Sequence, residues 1–269
     1  MLQLLLLLAA ARVAGSTPPR RTAMMAWKTC NNAPGCARTR ADLEHDFATI
    51  QSFGVTHIEL YCGFGIESNG SFATIPAPPQ RWGVLSICRQ AAILIASTPN
   101  MSYSIMVEGP LDFNGGLQRV IRDGGARFGA EAAAVLATFP QYRPHPGATP
   151  PGVVGLQLDF ERGQDKTIPL PSPADFAAMV SGIAKHVPGG VGIAVSQCPY
   201  LSHYDQLLEN GADGVNDMEL YHAASAADFS AKLQVSLHRL GSGSRSAFAA
   251  GVSLFPCNHT CNPSHSLFA

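Results

Sequence analysis

The sequence predicts an α/β chain built on a parallel sheet covered by helices. Three observations predict it: short β-rich apolar runs recur seven times, a helical pattern follows each, and the runs are nearly continuously apolar rather than alternating. Seven such units in 269 residues fit a (β/α)₈ barrel, which takes about 250 residues. A doubly wound open sheet is the runner-up, and no Gly-rich phosphate loop follows the first run to support it. An eighth strand is not evident.

Taken in order, the expected strands are "AMMAWK" (23–28), "THIELYC" (56–62), "YSIMVEG" (103–109), "VVGLQLDF" (153–160), "VGIAVSQ" (191–197), "GVNDMELY" (214–221) and "FAAGVSL" (248–254). Between the first two, "TRADLEHDFATIQSFG" places Thr39 and Asp42 like a capping box and spaces Leu43, Phe47, Ile50 and Phe53 along one helical face. After the fourth, "SPADFAAMVSGIAKHV" opens with Ser172 as a cap and Pro173 in the first turn. "SAADFSAKLQVSLHRLG" repeats the device with Ser225 and ends at Gly241. The Pro-rich "PQYRPHPGATPPG" (140–152) leads straight into the fourth strand and reads as a long loop rather than a linker.

Ahead of these units stands "MLQLLLLLAAARVAGS", whose apolar stretch is too short to span a bilayer and ends in small residues. It reads as a secretory signal peptide over residues 1–15, cleaved before Ser16 and leaving one domain over 16–269. Its start carries no Lys or Arg, so an uncleaved interfacial anchor is the alternative. Sequons at Asn69, Asn100 and Asn258 fit a secretory route.

A formal net charge of −1 without charge runs gives no footing for nucleic acid. A secreted monomer that does not engage a membrane after cleavage is expected. Of seven cysteines, Cys30 with Cys36 and Cys257 with Cys261 form close pairs in loop-like sequence, expected as local disulfides in an oxidising compartment. Zinc is the competing reading for the second pair, beside His259, although its spacing matches no standard finger. Cys62, Cys88 and Cys198 remain, and their odd number leaves at least one thiol free.

Side chains alternate across a strand, so residues of equal parity share a face. Ile58, Leu60 and Cys62 would pack under the helices, leaving His57, Glu59 and Tyr61 toward the barrel axis. The same parity turns Ser104, Met106 and Glu108 inward, then Gln157, Asp159 and Glu161, then Asp217, Glu219 and Tyr221. The acids come late in each expected strand, which gathers them at the C-terminal mouth where barrel enzymes build their sites. A lone acid at a strand end is ordinarily a loop cap or an ion-pair member. Four strands delivering acids to one rim argue for a site.

Asp159 and Glu161 lie about 6.5 Å apart along one strand face. Each raises the other's proton affinity, and a carboxyl kept protonated in this way can serve as a general acid. Here "VGLQLDFE" (154–161) resembles the D-G-x-D-x-D-x-E of chitinase-like glycoside hydrolases of family 18, with Gly155, Asp159 and Glu161 matching and Val154 and Gln157 standing at the first two acids. "MELYH" resembles the family's M-x-Y-D, aligning Tyr221 with the Tyr and leaving Glu219 at the Met and His222 at the Asp. "MVEG" departs from the family's S-x-G-G.

The resemblance implies a (β/α)₈ glycosidase acting on β-linked N-acetylamino-sugar glycans without a cofactor or metal. It implies Glu161 as the acid, Asp159 as orienter of the substrate's N-acetyl group, and Tyr221 as its hydrogen-bond partner. Gln157, Glu219, Glu59, Tyr61 and Glu108 would line the sugar subsite. Trp27 is either a stacking floor or a residue of the barrel bottom. Two rivals stand beside this reading. Glu108, Asp159, Glu219 and His222 could hold a divalent ion in a metal-dependent hydrolase, or the scaffold could bind carbohydrate without turnover.

Overall fold

The computed structural model describes residues 3–7, 22–26, 40–52, 54–74, 85–110, 115–142, 152, 154–161, 169, 171–196, 204–217, 225–240 and 248–253. The elements run in chain order β1 (Gln3–Leu7), β2 (Thr22–Ala26), α1 (Arg40–Ser52), β3 (His57–Ile66), β4 (Phe72–Thr74), α2 (Leu85–Ala96), β5 (Ser102–Pro110), α3 (Gly116–Arg122) and α4 (Ala126–Leu136). There follow β6 (Gly155–Glu161), α5 (Pro173–Ala184), β7 (Val191–Ser196), α6 (Tyr204–Glu209), β8 (Gly214–Asp217), α7 (Ala226–Leu240) and β9 (Phe248–Ser253).

The chain is thus mixed α/β, and its strands form one sheet in the order β2-β1-β9-β8-β7-β6-β5-β3-β4, with a further pairing of β2 to β3. The seven expected strands are β2, β3, β5, β6, β7, β8 and β9. Each is parallel to the next. Two strands were not foreseen. β4 folds back antiparallel on the end of β3, and β1, from the leucine run read as a leader, pairs antiparallel with both β2 and β9. A leucine-rich stretch satisfies its backbone in that position as it would in any two-sided sheet strand.

Helix starts follow local chemistry. Ser172 Oγ accepts the backbone N–H of Asp175 at 3.1 Å, with Pro173 opening the first turn of α5. Ser225 does the same for Asp228 at the head of α7. Leu43, Phe47 and Ile50 are the buried stripe of α1, as their spacing predicts; Thr39, Phe53 and Gly241 lie outside the described residues. Tyr142 and Gly152, near the ends of the Pro-rich segment, exchange backbone hydrogen bonds at 2.6 and 3.2 Å, and residues 143–151 lie outside the described residues.

The core lies between the sheet and its helices. Ile58, Leu60, Tyr103, Ile105, Leu156, Leu158 and Ile193 pack from the strands against Cys88, Ile95, Phe176, Val180 and Ile183 of α2 and α5. Cys62 belongs to this face as its parity predicts, but it is not merely a small apolar filler. It is disulfide-bonded to Cys88 of α2, with Cα atoms 5.3 Å apart. Cys30, Cys36, Cys198, Cys257 and Cys261 lie outside the described residues.

One irregularity matters for the site. The β3–β5 register slips between Tyr61 and Phe64, where Gly63 takes φ 77°, a left-handed conformation that glycine adopts without strain. The bulge lets β3 continue to Ile66 instead of ending near Cys62. Among the described residues no helix is long and apolar enough to cross a membrane.

Candidate active site

Among the described side chains, His57, Glu59, Tyr61, Ser104, Gln157 and Asp159 are buried on β3, β5 and β6, and register sets these strands in layers. At the lower end His57 is buried, its two ring nitrogens within hydrogen-bond distance of Ser102 Oγ (2.7 Å) and Ser104 Oγ (3.1 Å). The next layer aligns Glu59, Ser104 and Gly155, and the one above it Tyr61, Met106 and Gln157. Highest of these stand Glu108 beside Asp159, then Pro110 beside Glu161.

This corrects the placement of Glu59. A strand ending at Cys62 would bring Glu59 near the mouth, but β3 runs four residues further. Glu59 is therefore the third residue of a ten-residue strand and only 4% exposed. It sits two layers below Asp159, about 13 Å along the strand direction, so it belongs to the interior rather than to the rim.

Asp159 is 5% exposed, a costly position for a carboxylate without hydrogen bonds. The phenol of Tyr61, itself buried, donates to Asp159 Oδ2 at 2.5 Å. The structure thus brings together two residues that the sequence assigned to one face in different roles. Tyr61, expected to line the sugar subsite, engages Asp159 itself.

Gln157 is equally buried and leans toward β7, where its register partner is Gly192. A Cβ on Gly192 would lie 1.8 Å from Gln157 Oε1. Only glycine leaves room for that amide, which is the signal in "VGIAVS" that sequence reasoning passed over. Further along β7, Ala194 and Ser196 occupy the positions paired with Asp159 and Glu161. Small residues therefore flank the acids on this side.

Glu161 ends β6, two residues beyond Asp159, at the C-terminal edge where the parallel strands finish. Glu108 occupies the β5 position paired with Asp159. Trp27, Glu219, Tyr221 and His222 lie outside the described residues. Within the described residues no three His, Cys, Asp or Glu side chains converge as a metal-binding group.

Compared with known proteins, the chain matches no family model, no curated protein and no solved structure.

Proposed function

We propose that the chain is a secreted glycoside hydrolase that cleaves β-linked N-acetylamino-sugar glycans by a substrate-assisted, retaining route, on a (β/α)₈ barrel. The observation that carries the reading is Asp159, a buried and hydrogen-bonded carboxylate two residues before Glu161 at the C-terminal end of a parallel strand. An Asp held in one orientation beside a second acid is what such chemistry requires. Seven strands, each parallel to the next, support the barrel reading.

In this mechanism Glu161 protonates the leaving oxygen. Asp159 orients the substrate's acetamido group, whose oxygen attacks the anomeric carbon, and Tyr221 hydrogen-bonds that group. Enzymes that use a protein nucleophile hold two carboxyls about 5–5.5 Å apart on opposite sides of the bond. Two acids on one face of one strand suit an acid and a helper instead. Gln157, Glu108, Glu219 and Trp27 are assigned to the glycan subsite.

Hydrolysis of chitin oligosaccharides and other β-glycans, with and without chelator, tests the proposal. Cleavage of the N-acetylated substrates alone is expected, and Glu161→Gln should lower turnover by about 10²–10⁴-fold while binding persists. Chelator-sensitive cleavage would turn the assignment to a metal-dependent hydrolase. Binding without product would leave a carbohydrate-binding protein.

A further inference from the structure

We infer that Asn69, at the tip of the β3–β4 hairpin, is an N-glycan attachment site and is filled ahead of Asn100. The inference rests on the secretory part of the reading above and on none of its glycosidase chemistry.

The motif by itself ranks the two sequons equally, since "NGS" (69–71) and "NMS" (100–102) each offer an amide with a hydroxyl two residues on. The fold separates them. Asn69 is exposed in the turn where the Glu67 N–H donates to the Ser71 carbonyl at 3.0 Å, beyond Ile66, the last core residue of β3. Arg127 Nη2 donates to the Asn69 carbonyl at 2.6 Å, and the Ser71 N–H donates to Asn69 Oδ1 at 2.8 Å. The stem of Arg119 packs on Gly70, where a Cβ would lie 3.2 Å from Arg119 Cγ. These contacts fix the turn through its backbone and the Asn69 oxygen. Among the described residues no group hydrogen-bonds Asn69 Nδ2, and Ser71 Oγ has one long contact, from Arg127 Nη2 at 3.4 Å. The nitrogen and the hydroxyl that the motif requires are thus open to an oligosaccharide transferase, and an exposed loop tip accommodates a bulky glycan.

At the second sequon the asparagine is exposed too, but the rest of the motif is built into the sheet. Met101 is 3% exposed, and Ser102 opens β5. The Ser102 hydroxyl donates to the Thr56 carbonyl at 3.2 Å and stands 2.7 Å from His57 Nδ1. A transferase reaches that hydroxyl only before β5 pairs with β3 and Met101 enters the core, whereas Asn69 stays available after the sheet has formed. Asn258 lies outside the described residues. The Cys62–Cys88 disulfide points independently to the compartment, because such bonds persist where conditions are oxidising. In the transfer, Asn69 Nδ2 attacks C1 of an oligosaccharide carried on a polyprenyl diphosphate. A C–N bond forms, the C1–O bond to the diphosphate breaks, the amide gives up one proton and the lipid diphosphate leaves, with nothing oxidised or reduced.

Translating the full chain with endoplasmic-reticulum microsomes tests the inference. Protease protection reads entry into the lumen. Peptide mapping after enzymatic glycan release in oxygen-18 water then marks each occupied site as an Asp carrying heavy oxygen, a mark that spontaneous deamidation before release does not leave. Position 69 should be marked in most of the protected chain and more often than position 100. Ser71→Ala should abolish the mark at 69, and Ser71→Thr should keep it. A protected chain with position 69 unmarked, or marked no more often than position 100, overturns the inference. An unprotected chain defeats the secretory reading instead, and the same full chain behind an independent cleavable leader then decides between the two sequons by the same marks.

Discussion

Single side chains in this protein are tuned by what lies across the sheet from them. Tyr103 is fully buried on the helix-facing side of β5, donates its hydroxyl to the Pro140 carbonyl, and has the Tyr142 ring 5.8 Å away. Burial, reinforced by Tyr142 and opposed by Arg89, pushes its ionisation far above the usual 10.0. The sign follows from which state loses the proton first. Below about pH 10 folded and unfolded chains both keep it, and the contribution is whole; above that the unfolded chain releases its proton while the folded one holds it, so stability falls as pH rises. Tyr103→Phe should cost about 1 kcal/mol at neutral pH, the net worth of one hydrogen bond. It should also flatten the loss of stability between pH 9 and 11, as read by urea unfolding at each pH.

At the scale of elements, close helix approach depends on glycine. α5 crosses the turn between α3 and α4 so tightly that a Cβ on Gly182 would lie 1.8 Å from the carbonyl oxygen of Gly124. Gly124 and Gly125 are themselves in left-handed conformations, at φ 70° and 74°, so the turn is poorly placed to shift. In an exposed helix, alanine gains roughly 1 kcal/mol over glycine. Here the obstacle is backbone rather than a rotatable side chain, and the clash outweighs the propensity. Gly182→Ala should destabilise by about 1–3 kcal/mol, measured as a lower urea midpoint with unchanged slope. The N-cap of α5 at Ser172 was open to sequence reasoning, since it needs only local contacts. The Gly182 contact was not, because its partner lies some sixty residues earlier in the chain.

Across the whole molecule, the Cys62–Cys88 disulfide ties the sheet to the helix layer over a separation of 26 residues. Closing a loop of that size in the unfolded chain corresponds to about 3 kcal/mol. For a protein of this size each kcal/mol moves the melting temperature by roughly 2–4 °C. Cys88→Ala should therefore melt about 6–12 °C lower than the parent. Reductant should lower the parent's Tm by more than it lowers that of the variant in thermal scans.

Local pattern alone determined the seven parallel strands, the starts of α5 and α7, the buried stripe of α1, and the face on which Gln157 and Asp159 lie. All of these rest on periodicity or on contacts within a few residues, and a single chain displays them directly. The length of β3 was beyond its reach, because the bulge at Gly63 is a property of pairing with β5, and with it went the depth of Glu59. The Cys62–Cys88 bridge needed parity on a strand combined with the pitch of a helix twenty-six residues on. The place of the leucine run as β1 depended on edges offered by β2 and β9. The bond between Tyr61 and Asp159 joins residues 98 apart across an intervening strand. Sequence supplies both groups, but only the register of three strands brings a phenol within reach of a carboxylate.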